Sequence, residues 1–187
     1  MKRYRSLLAA ACLLLGLAVP LLMAQRRPES APTELESKAL FIFYFATFVD
    51  WPKVPGEGET GPLTVGVMGR EELVEGLRRV LNNRTVRGRP IVVQPVDADA
   101  VAERLDIIFF GRDAPASQGA ALTRLAGSPV LTVGETEGFC QRGGMINFYI
   151  NEGRIFFEIN PAATERAKLK LSSRLLSLAR LVGEPVR

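Results

Sequence analysis

Any chemistry in this chain must be done without histidine, because none occurs among its 187 residues. Ser-His-Asp and Cys-His nucleophilic catalysis are thereby excluded, and the commonest metal ligand is missing. Few reactive residue types remain. Cys140 stands in "GFCQRGGMINF" (Gly138–Phe148) beside a Gly-Gly pair, and Glu158 interrupts the apolar run "IFFEIN". Ser117 lies in "APASQGA", which misses a nucleophile elbow because Pro115 stands where glycine should be. "GVMGRE" (Gly66–Glu71) follows an apolar run and precedes a helical one, the right place for an anion at a helix N-terminus.

Most of these reduce to simpler roles. "GVMGRE" lacks the G-x-G-x-x-G spacing and puts Glu71 and Glu72 where a phosphate would sit. Ser117 becomes a helix-start residue, and Asp97 with Asp99 a cap and a first-turn acid. Cys12 falls in the apolar N-terminus, so Cys140 is the one cysteine beyond it, and a structural zinc site is excluded. No metal and no cofactor is expected. Two readings of Cys140 stay open: a disulfide between two copies of the chain, or a buried thiol.

The N-terminus decides the compartment. Lys2, Arg3 and Arg5 precede an uncharged run rich in Leu and Ala from Ser6 to Ala24. That is the layout of an export signal, with cleavage expected after Ala18 or Ala24; left uncut, residues 1–24 would be an anchor. Either way the rest of the chain is expected outside the cytoplasm. Three of the 24 cations and none of the 20 acids lie in residues 1–24, so the remainder carries a formal charge of only +1. No basic stripe with interleaved aromatics is present, which argues against nucleic acid as a partner. Residues 25–32 ("QRRPESAP") read as a linker and residues 33–187 as one domain.

The elements that must position Cys140 and Glu158 follow from periodicity. Thr33 and Glu36 have capping-box spacing ahead of "ELESKALFIFYFATFVDW", predicted as one helix up to Pro52. Phe41, Tyr44, Phe45, Phe48 and Trp51 fall within an arc of roughly 120°, expected to be the core stripe. Ile42, Phe43 and Val49 lie outside it and are expected to meet a partner or a second copy. "LTVGVMG", "IVVQPV", "DIIFFG" and "SPVLTVG" read as apolar strands alternating with helices, including a short helix in "DADAVAERL". The expected fold is a three-layer α/β sandwich. Its central sheet is mostly parallel, with helices on both faces. "MINFYIN" and "RIFFEIN" close it as an antiparallel hairpin over a three-residue loop, Asn151-Glu152-Gly153. Asn160-Pro161 opens a helix, and "LKLSSRLLSLARLV" reads as an extended link and a helix whose Leu175, Leu176, Ala179 and Val182 face the sheet.

Glu158 has two readings. It is either an outward sheet residue kept in water, or a polar contact in a recognition surface with Asn160 at its edge. In the second reading Lys170, Ser172, Ser173 and Arg174 form the other wall, and Glu158→Lys is expected to weaken function without unfolding the protein.

"KALFIFYFATFVDWP" (38–52), "SPVLTVGETEGFCQRGGMINFYINEGRIFFEIN" (128–160) and "LKLSSRLLSLARLV" (169–182) together resemble the YfiR family in order and spacing. The resemblance implies a non-enzymatic periplasmic regulator of a Gram-negative bacterium. Such a protein binds the periplasmic sensor domain of an inner-membrane diguanylate cyclase and holds it inactive, lowering cyclic di-GMP and biofilm formation. It further implies that copies can dimerise and that partner and small-ligand contacts concentrate on the hairpin and following helix, at Glu158, Lys170 and Ser173 here. The best-known relatives link a cysteine at the Cys140 position to a second one along the hairpin. Here Gly143-Gly144-Met145-Ile146-Asn147 offers none. The alternative function is a periplasmic small-molecule sensor module reporting to a histidine kinase or transporter.

Overall fold

The computed structural model describes residues 32–52, 61–97 and 104–183. The N-terminal segment and the helix expected around Asp99 lie outside the described residues. In chain order the elements are α1 (Glu34–Phe48), β1 (Val49–Asp50), β2 (Leu63–Met68), α2 (Glu71–Leu81), β3 (Thr85–Val86), β4 (Arg89–Pro95) and β5 (Ile107–Phe110). They continue with α3 (Pro115–Leu125), β6 (Leu131–Gly134), β7 (Ile146–Asn151), β8 (Arg154–Ile159), α4 (Pro161–Arg166), β9 (Lys170–Leu171), α5 (Ser173–Ser177) and β10 (Arg180–Leu181).

Eight strands form one sheet in the order β10-β8-β7-β6-β5-β2-β4-β3. Strands β4, β2, β5, β6 and β7 run parallel, and β7–β8 is the expected antiparallel hairpin. One face packs on α1, α2, α4 and α5 through Ile42, Phe45, Val65, Phe109, Val133, Phe148 and Phe157. The other meets α3 through Ile108, Phe110, Leu122 and Phe139. This is the three-layer sandwich read from the alternating strands and helices.

Expectations for the first helix, the hairpin loop and the last helix need correction. The first helix stops at Phe48, because Val49 and Asp50 turn extended and pair antiparallel with Leu171 and Lys170. Its buried residues are Lys38, Ala39, Ile42, Phe45 and Ala46, continued by Val49, while Tyr44 is 50% exposed. The true core stripe therefore follows the small residues Ala39 and Ala46, which let the helix axis approach the sheet. The larger Phe41 packs at its margin, 5.9 Å and 5.7 Å from the rings of Phe148 and Phe157. Ile42 and Val49 are thus core residues and not partner contacts. Phe43 is half-buried beneath the Arg84 guanidinium, 4.8 Å from its ring centroid.

The hairpin loop is two residues, not three, since Asn151 pairs with Arg154. Glu152 (φ 49°) and Gly153 (φ 72°) both lie in the left-handed region, as a tight primed turn demands. The last helix is also shorter than its leucine pattern suggests. It ends at Ser177, and Arg180-Leu181 run as an edge strand parallel to β8.

Candidate functional site

The α3-side face of the sheet is covered unevenly. Over β5 it is roofed by α3, and over β6 by the turn that carries Phe139 and Cys140. A Cβ on Gly134 would come within 2.5 Å of the Phe139 ring, and one on Gly144 within 2.1 Å, so Phe139 lies flat in a slot made by two glycines. The turn is tied down by Arg142, which donates to Glu137 O (2.7 Å), Thr136 Oγ1 (3.0 Å) and Gln118 Oε1 (3.1 Å). From its other end Asn160 Nδ2 donates to Cys140 O at 2.9 Å.

Beyond this turn, β7, β8 and β10 present a row of polar side chains on the same face. Asn147, Glu158 and Arg180 are successive cross-strand partners. Glu158 is only 2% exposed. Its Oε1 accepts from Asn147 Nδ2 (3.3 Å) and its Oε2 from Arg180 Nη2 (2.5 Å). A buried carboxylate is tolerated when both its oxygens are engaged and a cation neutralises it. The ion pair with Glu158 raises Arg180 further above its ordinary value. The same guanidinium lies 4.5 Å from the Tyr149 ring centroid, and Tyr149 stacks on Phe156 at 5.8 Å.

A cleft of about 490 Å³ opens over this row. Glu135, Glu137, Gly138 and Gln141 form the rim on the turn side, Tyr149, Ile150 and Arg180 on the hairpin side, and Arg112 closes one end. Its position beyond the C-terminal ends of β5 and β6 is where open α/β sheets place ligands. The rim is braced by charge. Lys38, buried on α1, contacts Glu34 and lies 2.5 Å from Glu135 Oε2. The Arg112 amide donates to Glu135 Oε1 (3.1 Å), and its guanidinium reaches Glu34 (3.1 Å). The hydrogen bond from Lys38 holds the Glu34 carboxyl below its usual range, with the Lys38 and Arg112 charges adding to the effect.

Cys140 is 1% exposed, and its Sγ faces Met145 O (3.7 Å) and Glu158 O (3.8 Å). Burial pushes the thiol far above its ordinary value, and the Glu158 carboxylate pushes it further. A buried, neutral thiol is neither nucleophile nor redox handle, so of the two open readings the buried one matches this geometry.

The residues expected to line one surface separate. Glu158 faces the cleft, but Lys170, Ser172, Ser173 and Arg174 are not among its lining residues. Lys170 is the β9 partner of Asp50, and Ser172 caps α5 by accepting from Leu175 N (3.2 Å). Ser173 and Arg174 are exposed, with Arg174 lying over Phe48 at 5.9 Å. Asn160 caps α4 by accepting from Ala163 N (3.1 Å) and is buried. The second wall is instead Arg180, missed because the leucine pattern carried a helix through it. The break comes at Leu178, after which Arg180 and Leu181 turn extended and pair with β8. Lys38 was missed because a lysine at a stripe position normally signals a surface turn.

Among the described residues no group of three or more Cys, Asp or Glu could hold a metal ion, and no helix is long and apolar enough to cross a membrane. A family model described as YfiR/HmsC-like matches residues 35–180. The chain belongs to the YfiR/HmsC-like family. The matched region runs from the first turn of α1 to Arg180, so it contains the whole polar row. YfiR/HmsC-like proteins form a regulatory family of diguanylate cyclase signalling, and the family is periplasmic. The fold of this member is also similar to the crystal structure of a conserved domain protein from Vibrio cholerae O1 biovar El Tor strain N16961. The TM-score is 0.58 at 14% identity, over 81% of this chain and 60% of that one. This YfiR/HmsC-like chain thus spans about 60% of the length of the Vibrio chain, and the likeness speaks for the fold alone.

Proposed function

We propose that this protein binds the periplasmic sensor domain of an inner-membrane diguanylate cyclase and holds it inactive, lowering cyclic di-GMP and biofilm formation. The observation that carries this reading is the family match over residues 35–180. The surface of β9, α5 and β10 supports it. Lys170, Ser173 and Arg174 face solvent, and Leu178 and Leu181 are 69% and 55% exposed. Exposed leucines together with exposed polar and charged side chains suit a protein partner. The test is co-purification with the periplasmic domain of a cyclase encoded nearby, together with cyclic di-GMP in a deletion strain. Binding and a rise in cyclic di-GMP are expected; neither occurring would sink the proposal. Leu178→Glu should weaken co-purification at least tenfold without moving the melting temperature.

The cleft favours a second reading, a small-molecule sensor module reporting to a histidine kinase or transporter. Its volume lies in the range of small-ligand sites, about 300–1,000 Å³. A ligand of the folded state raises the melting temperature, so a thermal-shift screen of metabolites tests it, and a flat response counts against it.

A further inference from the structure

Helix α1 has a second apolar face, turned away from the sheet. At about 100° per residue, Leu40, Phe43, Tyr44, Thr47 and Phe48 share an arc of about 140°. That arc lies opposite Ile42 and Phe45, which are buried against the sheet. Tyr44 is 50% exposed, Thr47 is exposed, and Leu40, Phe43 and Phe48 are half-buried. Between Ser37 and Phe48 the helix has one charged residue, Lys38, and it is buried on the other side. Glu36, at the N-terminal end of the face, is turned back onto the Thr33 amide and hydroxyl.

The charges stand at the margins, and they are positive. On the α2 side the Arg84 guanidinium lies 4.8 Å from the Phe43 ring centroid, and on the α5 side that of Arg174 lies 5.9 Å from Phe48. Arg84 donates through Nε to Val80 O (3.1 Å), and neither arginine is ion-paired among the described residues. Arg79 is exposed on α2 beside the Glu36 end of the same face. Rings and aliphatic groups with guanidinium groups on both margins suit the headgroup layer of a bilayer, where the apolar parts enter and the arginines meet phosphate. A second copy fits this face poorly. A two-fold contact sets a patch against itself, which here gathers two sets of arginines with no free carboxylate between them.

We propose that the outer face of α1 docks on a bilayer of anionic lipid, with Tyr44 and Phe48 entering the headgroup layer and Arg84 and Arg174 binding lipid phosphates. The contact does not depend on the cyclase reading. It holds the protein at the surface from which a membrane enzyme's sensor domain projects.

The test is co-sedimentation of residues 32–187 with lipid vesicles. These residues form one compact unit that holds the whole sheet and both apolar clusters. Leaving out residues 1–31 removes an apolar run that would enter lipid by itself. Vesicles of phosphatidylglycerol and phosphatidylcholine in equal parts are expected to bind at least tenfold more tightly than phosphatidylcholine alone. That difference should vanish in about 1 M salt, where the screening length is about 3 Å. Tyr44→Glu and Arg84→Glu should each weaken binding to the anionic vesicles at least tenfold. Because Tyr44 is half exposed, Tyr44→Glu should leave the melting temperature in place, and it decides the matter if Arg84→Glu fails to fold. The proposal is overturned if phosphatidylglycerol vesicles do not bind, if phosphatidylcholine binds as well, or if Tyr44→Glu binds like wild type. Tyr44→Glu is expected to co-purify with the cyclase domain as wild type does. If it loses the cyclase while wild type ignores vesicles, the face belongs to a protein partner and the lipid proposal fails alone.

Discussion

The two faces of the β7–β8 hairpin are built from alternate residues of the same short strands and are held by different physics. The inner face places Phe148 and Phe157 against Phe45 at 5.6 Å and 5.1 Å, a dry cluster whose stability comes from area and packing. The outer face places Asn147, Glu158 and Arg180 in a row that is buried at the bottom and wet at the top. The first has every contact made. The second keeps a carboxylate inside the protein only because a particular amide and a particular guanidinium hold it, and it still leaves Asn147 Oδ1 without a partner among the described residues. The inner face is thus a packed apolar surface and the outer one a polar floor beneath the cleft.

The largest way to break this contrast is on the inner face. Phe157→Ala should cost about 3–5 kcal/mol by denaturant unfolding, the range for removing a large aromatic from a packed core. A loss under 1 kcal/mol would mean the aromatic cluster is not the hairpin's anchor.

The outer face should be nearly as sensitive to charge. Glu158→Lys puts an ammonium beside Arg180 at a site that is 2% exposed. A cost of about 3 kcal/mol or more is expected, since an uncompensated buried charge is among the most damaging changes. The sequence-based expectation, that this substitution spares folding, is the opposite outcome. Unchanged stability would show that Glu158 opens to solvent.

Beneath the row, Cys140 gives a smaller, pH-dependent signature. Its folded value is raised above the ordinary 9.0, so above pH 9 the unfolded chain releases this proton while the folded protein keeps it. The unfolded state then binds fewer protons and stability falls as pH rises, by up to about 1.4 kcal/mol per unit. Urea titrations of wild type and Cys140→Ala at pH 8, 9 and 10 should differ by that slope; parallel curves would refute the burial effect.

The smallest effect belongs to the braced rim. The Glu34 value is lowered, so its contribution is present above the ordinary 4.5 and is lost as pH falls below it. With the carboxylate 48% exposed, Glu34→Gln should cost under about 1 kcal/mol at pH 7, shrinking toward zero by pH 3 in melting experiments. An equal difference at both pH values would rule out the ion pair as its source.

Why some parts were legible is a matter of range. The capping box at Thr33–Glu36 is present as the spacing predicts, with Glu36 N donating to Thr33 Oγ1 at 3.2 Å. The sheet strands read as apolar runs, and the last two as a hairpin about Glu152-Gly153. These signals are local, because backbone geometry sets a period of two or of 3.6 and sequence carries it openly. The stripe of α1 was read from aromatic size when the deciding quantity was closeness, which favoured Ala39 and Ala46. Of the polar cleft, Glu158 was visible as a charge in an apolar run. Its partner Arg180 was hidden in a two-residue strand too short to have a period.

By itself, then, the amino-acid sequence determined the layers, the order of strands and helices, and the absence of histidine-based chemistry. It also determined that the chain closes in an antiparallel hairpin. Only the tertiary structure decided that Glu158 is buried, that Arg180 and not Lys170 answers it, that Cys140 is sealed beneath them, and that Asn147 keeps an acceptor free. Those outcomes depend on which edge strand is added beside β8 and on how far the α3-side layer extends. Both are settled by contacts between segments distant along the chain, whose pairing no local period records.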